Sequence, residues 1–355
     1  MIESPAAFIG VNDEGIISFG SGQPDLEPPK EIFENLNIPK LLKYGLIKGE
    51  PKLREALAKE YPAANFEEFV VTNGASEALD LTLRAIYKLH GPSQILICRP
   101  YYYSYPPLVE LAGHTPIYTD LINGQIDLDD FTSKLGQAKA VIINSPSNPT
   151  GRVEKIETLR QIEKITAEQG TYVISDEVYK DLIYGRENYL IQGDHVITVN
   201  SFSKTYSMCG LRVGYLYTAD KELLDTVVDI KTHTSMNTNV VAQQMALQAT
   251  SVPKVIINQQ TKIWEERRDF IYNGLKALGF DLWQPEGAFY VLPKIKNSNQ
   301  VVSELYEQHN VIVYDGAWFG APNRIRLSYA LDVSKIEEGL KRIEEYLKDK
   351  KDWLS

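Results

Sequence analysis

Seven short runs rich in apolar and β-branched residues recur through the chain, and longer helical patterns lie between several of them. The runs are Phe69–Thr72, Ile95–Cys98, Thr115–Thr119, Ala140–Asn144, Tyr172–Ser175, Val196–Asn200 and Arg212–Tyr217. Several hold almost no polar residue, so both faces of those strands must be covered. Strands of that kind separated by helices, as over 76–89 and 155–168, predict an α/β fold: a mostly parallel sheet flanked by helices. After about residue 255 the pattern changes. A charged helix around 262–278 leads to strand-like stretches at 289–292, 311–314 and 324–329, with helical patterns at 300–308 and 333–348. This reads as a smaller α+β domain. The expected division is a large domain over 26–270 and a small one made of 1–25 and 271–355. A chain of 355 residues is long enough for both.

Charge and cysteine content narrow the function classes. Lys and Arg number 37 against 47 Asp and Glu, a net charge of −10. An acidic surface argues against nucleic acid or an anionic membrane as the main partner. The two cysteines cannot form a disulfide framework and fit a reducing compartment. No apolar run reaches the roughly 18 residues of a membrane span. The start MIESPAAFIG lacks the basic and apolar regions of a signal peptide. The expected location is cytoplasmic. The five histidines show no metal-ligand spacing, so no metal site is expected.

In an open parallel sheet, ligands collect beyond the carboxyl ends of the strands. Polar residues, glycines and prolines concentrate there. Thr72-Asn73-Gly74-Ala75-Ser76 joins a strand to a helix, whose free N–H groups bind anions. By itself it could equally be a capped turn. Lys204, in Ser201-Phe202-Ser203-Lys204 and eight residues before Arg212, combines an amine with an anion clamp. A solitary lysine is more often a solvated surface residue. Asp176 ends a buried run, where a carboxylate needs a partner such as a protonated ring nitrogen, or caps a helix. Asn148 stands between two prolines in a stretch that could be an ordinary loop. Gly20-Ser21-Gly22 is not a dinucleotide fingerprint, since prolines follow and the third glycine is missing.

Together these segments resemble the fold-type I pyridoxal-phosphate enzymes, specifically the class I and II aminotransferases. Nine pieces occur in the family's order: GSGQPD, YGLIKGEPKLREAL, TNGASEAL, RPYYYSY, SPSNPTG, SDEVY, SFSKTYSMCGLRVGY, PEGAFY and RIRLSYA. The resemblance implies pyridoxal 5'-phosphate as cofactor and transfer of an amino group from an α-amino acid to a 2-oxo acid. Lys204 matches the lysine that forms a Schiff base with the cofactor aldehyde and then carries the α-proton. Asp176 matches the partner of the pyridinium nitrogen. Asn148 and Tyr179 match donors to the ring 3-oxygen, and Tyr102 the aromatic that stacks on the ring. Ala75, Ser76, Ser201, Ser203 and Arg212 match the phosphate cup. Tyr44 matches a tyrosine reaching the phosphate from a second subunit, which implies a homodimer with shared active sites. Arg326 matches the fork that grips the substrate carboxylate, and Gly20 lines the substrate side.

The same residues would also serve a pyridoxal-phosphate lyase or decarboxylase, and the chain length suits a histidinol-phosphate-type aminotransferase. A ligand-sensing module without activity is disfavoured by the joint presence of Lys204, Asp176 and Arg326. Glu110, after the tyrosine run, stands where aspartate-specific relatives often place a cation, so it argues against strict dicarboxylate specificity. Cys209, Tyr101, Tyr103 and Tyr105 read as packing or pocket wall.

Overall fold

The computed structural model of the chain describes residues 4–354 apart from positions 9, 12, 13, 35, 37, 39–41 and 63. Its largest sheet uses β1 (Phe69–Thr72), β2 (Gln94–Arg99), β3 (Thr115–Ile122), β4 (Gln125–Ile126), β5 (Ala140–Asn144), β6 (Tyr172–Asp176), β7 (Val196–Ser201) and β8 (Gly214–Tyr217). The order across the sheet is β1-β8-β7-β6-β5-β2-β3-β4. Neighbours from β7 to β3 run parallel, whereas β8 runs antiparallel to both β1 and β7, and the short β4 antiparallel to β3.

Side-chain alternation explains why these strands are apolar throughout. Ile95, Ile97, Ile142, Ile174 and Ile197 pack on one face beneath the helix Ala75–His90. Leu96, Val141, Ile143, Val173 and Val196 pack on the other, with Leu159 and Ile162 of the helix Ile156–Gln169. Both faces are dry, so each strand position gains burial of about 25 cal/mol per Å² of apolar surface. The carboxyl ends of β1, β2, β5, β6 and β7 therefore share one sheet edge, and the polar motifs follow them.

The C-terminal elements surround a separate apolar cluster. A three-stranded antiparallel sheet joins Tyr290–Val291, Ile325–Ser328 and Tyr314–Asp315. Ile17–Ser18 pairs in parallel with Val311–Ile312. The single run expected over 311–314 thus divides between two sheets. Phe19 continues the link: its N–H donates to the Ile312 carbonyl at 2.8 Å, and its own carbonyl accepts from the Ser328 N–H at 2.7 Å. These bonds carry Gly20 to the end of the Arg326 strand. The charged helix spans Lys254–Ala277, beginning earlier than its charge pattern suggests, directly after Pro253. Arg212 lies outside β8, in the left-handed region at φ +51°.

Candidate active site

At the shared edge a cavity of about 930 Å³ opens. One end is formed where β1 turns into the helix Ala75–His90. The first helical hydrogen bond runs from the Ala78 N–H to the Gly74 carbonyl, so the N–H groups of Ala75 and Ser76 precede the ladder. Gly74 has φ +79°, and a Cβ there would strike the Arg212 guanidinium. Glycine is therefore what lets that cation lie against the turn. Gly214 is required for a similar reason: a Cβ would come within 2.6 Å of the Asn200 carbonyl and 3.0 Å of the Ala75 nitrogen. At this point β7, β8 and the helix start converge. Arg212 donates to the Cys209 carbonyl at 3.0 Å. The Ser201 hydroxyl accepts from the Ser203 N–H at 3.3 Å, and both serines are buried. Two hydroxyls, two leading helix N–H groups and a guanidinium form a concave anion site.

Asp176 lies in the middle of the cavity at the end of β6, only 4% exposed. Its carboxylate accepts from the Tyr105 hydroxyl at 2.6 Å and the Val178 N–H at 3.3 Å. Burial pushes its carboxyl up to about 6, against the pull of those two donors and of the Lys204 charge. A carboxylate held this deep among neutral donors suits a cationic ring nitrogen. Lys204 follows β7 after Phe202 and Ser203, and its amine donates to the Gly22 carbonyl at 2.6 Å. Tyr102 lines the cavity with its ring edge-on to Tyr105 at 5.5 Å.

The other end centres on Arg326, 2% exposed. Its guanidinium is surrounded by the rings of Tyr290, Tyr314 and Phe319, with centroids at 4.6, 4.7 and 4.7 Å. It donates to the Asn148 side-chain oxygen at 3.1 Å and to the Gly20 carbonyl. Among the described residues its Nε has no partner. A buried guanidinium with an unused donor is a receptor for a carboxylate. Asn148 is held in turn by the chain before it: its N–H donates to the Asn144 side-chain oxygen at 2.9 Å. Tyr179 and Tyr290 share a hydroxyl contact of 2.8 Å. The residues present thus fit a flat, anionic aldehyde with a basic ring nitrogen. They offer an anion cup, a carboxylate, an amine and an aromatic face in one cavity.

Gly20, Ala75, Ser76, Tyr102, Asn148, Asp176, Tyr179, Ser201, Ser203, Lys204, Arg212 and Arg326 all line this cavity. Tyr44 does not; it is 84% exposed on the single chain. Glu110 is exposed on the helix Tyr105–Leu111, outside the lining, so the argument from its charge against dicarboxylate substrates does not hold. Sequence reasoning missed the contact of Tyr105 with Asp176 and the parts played by Asn144, Gly22 and Tyr290. A strand-end Asn144 could have been noticed from its place before the SPSNPTG motif. Nothing in the spacing of residues 105 and 176 joins that pair. No cluster able to hold a metal exists among the described residues, and no described helix is long and apolar enough to cross a membrane.

Residues 14–343 match the family model for aminotransferase class I and II. The chain is 33% identical to an aspartate aminotransferase of Bacillus sp. (strain YM-2), over 94% of this chain and 92% of that protein. It is 35% identical to the aspartate aminotransferase of Thermotoga maritima, over 94% and 92%. The solved structure of the Thermotoga maritima aspartate aminotransferase aligns with a TM-score of 0.90 at 32% identity, covering 97% of this chain and 95% of that one. An aromatic aminotransferase from Pyrococcus horikoshii aligns with a TM-score of 0.88 at 29% identity, covering 98% and 100%. The chain belongs to the class I and II aminotransferase family and is a pyridoxal-phosphate-dependent transaminase of the aspartate aminotransferase fold.

Proposed function

We propose that this cavity binds pyridoxal 5'-phosphate and moves an amino group between an α-amino acid and a 2-oxo acid, with Lys204 as its proton carrier. The observation that carries the reading is the convergence of Lys204, Asp176 and Arg326 on one cavity. When bound, the cofactor supplies an aldehyde that takes up the amino group and a ring that accepts electrons. Ala75, Ser76, Ser201, Ser203 and Arg212 hold its phosphate, and Tyr102 covers a ring face. The ionised Asp176 keeps a proton on the ring nitrogen, and Asn148 and Tyr179 donate toward the ring oxygen. Arg326, beside the Gly20 backbone, grips the substrate carboxylate and fixes the α-carbon. The Lys204 amine takes the proton from that α-carbon and returns it during the reverse half.

The division into 26–270 and 1–25 with 271–355 is supported by the pairing of Ile17–Ser18 with Val311–Ile312. A homodimer is supported by Phe33, Ile38, Leu42, Tyr44 and Leu46, large apolar side chains left exposed on one stretch. In that dimer Tyr44 completes the phosphate site of the partner. Cys98 and Cys209 are free thiols, which suits a cytoplasmic enzyme. Dicarboxylic amino acids are the donor class we favour, because several relatives are named aspartate aminotransferases and Lys335 adds a further cation to the cavity wall, besides Lys204, Arg212 and Arg326. The test is a half-reaction. Loaded enzyme is mixed with single amino acids, without oxo acid, and its absorbance followed. A stoichiometric change to the amine-form spectrum with one oxo acid released per site is expected. Catalytic release of pyruvate, ammonia or carbon dioxide with an unchanged spectrum would replace the reading by a lyase or decarboxylase.

A further inference from the structure

The helix start assigned to the phosphate contains an acid that ought to oppose it. Glu77 lies in the first turn of Ala75–His90, where the helix dipole favours an anion and where Glu77 competes with any ligand anion. Its carboxylate is fully engaged in holding the turn. It accepts the Asn73 main-chain N–H at 2.6 Å and the Asn73 side-chain amide at 3.1 Å. It also accepts Lys231 Nζ at 2.8 Å. Lys231 comes from the helix Lys221–Thr234, is 0% exposed, and donates further to the Ser235 hydroxyl at 3.0 Å. Burial alone would raise the Glu77 carboxyl, but the bonds from Lys231, Ser235 and Asn73 hold it below the usual range, so it is charged. Asn73 immediately precedes Gly74, the residue on which Arg212 rests.

We propose that Glu77 and Lys231 are positioning residues for the cofactor phosphate: Glu77 clamps the Asn73 turn, and Lys231 cancels the charge that the clamp would present to the phosphate. This rests on reading the Ala75–Ser76 helix start as the phosphate end. A burial-only role for the pair makes no distinction between its two halves, since losing either partner leaves an unpaired buried group. The charge-cancelling role makes the two losses opposite in sign at the phosphate. Lys231→Met leaves a bare carboxylate in the first turn of the helix whose start holds the phosphate, behind the cavity lining. Glu77→Gln leaves a bare ammonium, while the amide oxygen still accepts from the Asn73 N–H.

The experiment compares enzyme loaded with pyridoxal 5'-phosphate and enzyme loaded with pyridoxal, which lacks the phosphate. The dissociation constant of each is read from absorbance, and their ratio is the phosphate preference. Lys231→Met is expected to lower that preference about tenfold, and Glu77→Gln to raise it about threefold. Melting temperature falls in both. A preference that stays constant, or moves in the same direction in both variants, overturns the proposal. Should Lys231→Met fail to fold, Glu77→Gln decides alone, and a preference at or below that of the wild type overturns it. A wild type that binds both compounds equally would instead overturn the phosphate reading of the helix start.

Discussion

The two ends of the cavity are assembled from the chain in different ways. At the end assigned to the cofactor phosphate, two continuous segments of the single chain supply the cup itself: 72–77 and 200–214. The sheet joins them by register, with Thr72 and Ser201 both opposite Gly214. At the carboxylate end, Arg326 meets Asn148 across 178 positions and Gly20 across 306. The first end is fixed by backbone: strand ends, a helix start and two glycines that allow close approach. The second is fixed by packing, a guanidinium held among three rings from separate elements. Cofactor affinity should therefore follow local changes near the first end, and substrate affinity should follow changes in C-terminal packing near the second.

The largest effects test the residues between the ends. Lys204→Ala should lower transamination by at least about 10²–10⁴-fold while the protein still melts cooperatively, since the reactive amine is lost and no core side chain is removed. Turnover at the wild-type rate would remove Lys204 from the chemistry. Asp176→Asn should lower kcat by about 10²–10³-fold. It should also stabilise the cofactor-free protein. Because the folded carboxyl sits near 6 rather than its ordinary 3.8, the folded state holds the proton more tightly than the unfolded chain. Stability contributed by that proton is present below about pH 4 and lost as pH rises to about 6. The variant should then gain up to about 3 kcal/mol at pH 8 and nothing at pH 3 in thermal melts. Equal gains at both pH values would contradict the burial argument.

The next pair separates the ends directly. Arg326→Lys keeps the charge but not the fork, so kcat/KM for amino acids should fall about 10²-fold with cofactor affinity nearly unchanged. Ser203→Ala should raise the cofactor dissociation constant about threefold to tenfold with little change in substrate KM. If each variant moved both constants alike, the two ends would not be independent. The smallest effect belongs to Tyr44→Phe. A loss of about threefold in cofactor affinity is expected, appearing only at protein concentrations where sedimentation finds the dimer. The same loss in a monomer would place Tyr44 in its own site.

Much of the large sheet was legible because buried parallel strands must be apolar on both faces, and 140–144 and 172–175 have few other ways to be placed. The 311–314 run was harder. Its composition indicates a strand, yet Val311–Ile312 pairs with Ile17–Ser18 while Tyr314–Asp315 pairs with the Arg326 strand. Composition does not name a partner strand. Tyr105 reads as pocket wall from its sequence context, and only the fold brings its hydroxyl to the Asp176 carboxylate at the end of β6. Glu110 misled for the opposite reason: adjacency in sequence suggested a pocket charge, and the helix turns it to solvent.

By itself the sequence determined the strand–helix alternation, the edge where ligands gather, and, through its motifs, the chemically active side chains of the cavity: Lys204, Asp176, Asn148, Arg212 and Arg326 among them. These follow from local periodicity and from chemistry carried within short segments. Tertiary structure alone decided which donors meet which acceptors: Tyr105 with Asp176, Gly22 with Lys204, Lys231 with Glu77, and Gly20 with Asn148 around Arg326. Those pairings join residues far apart in the chain, and only the closed core brings them within the roughly 3 Å at which a hydrogen bond acts.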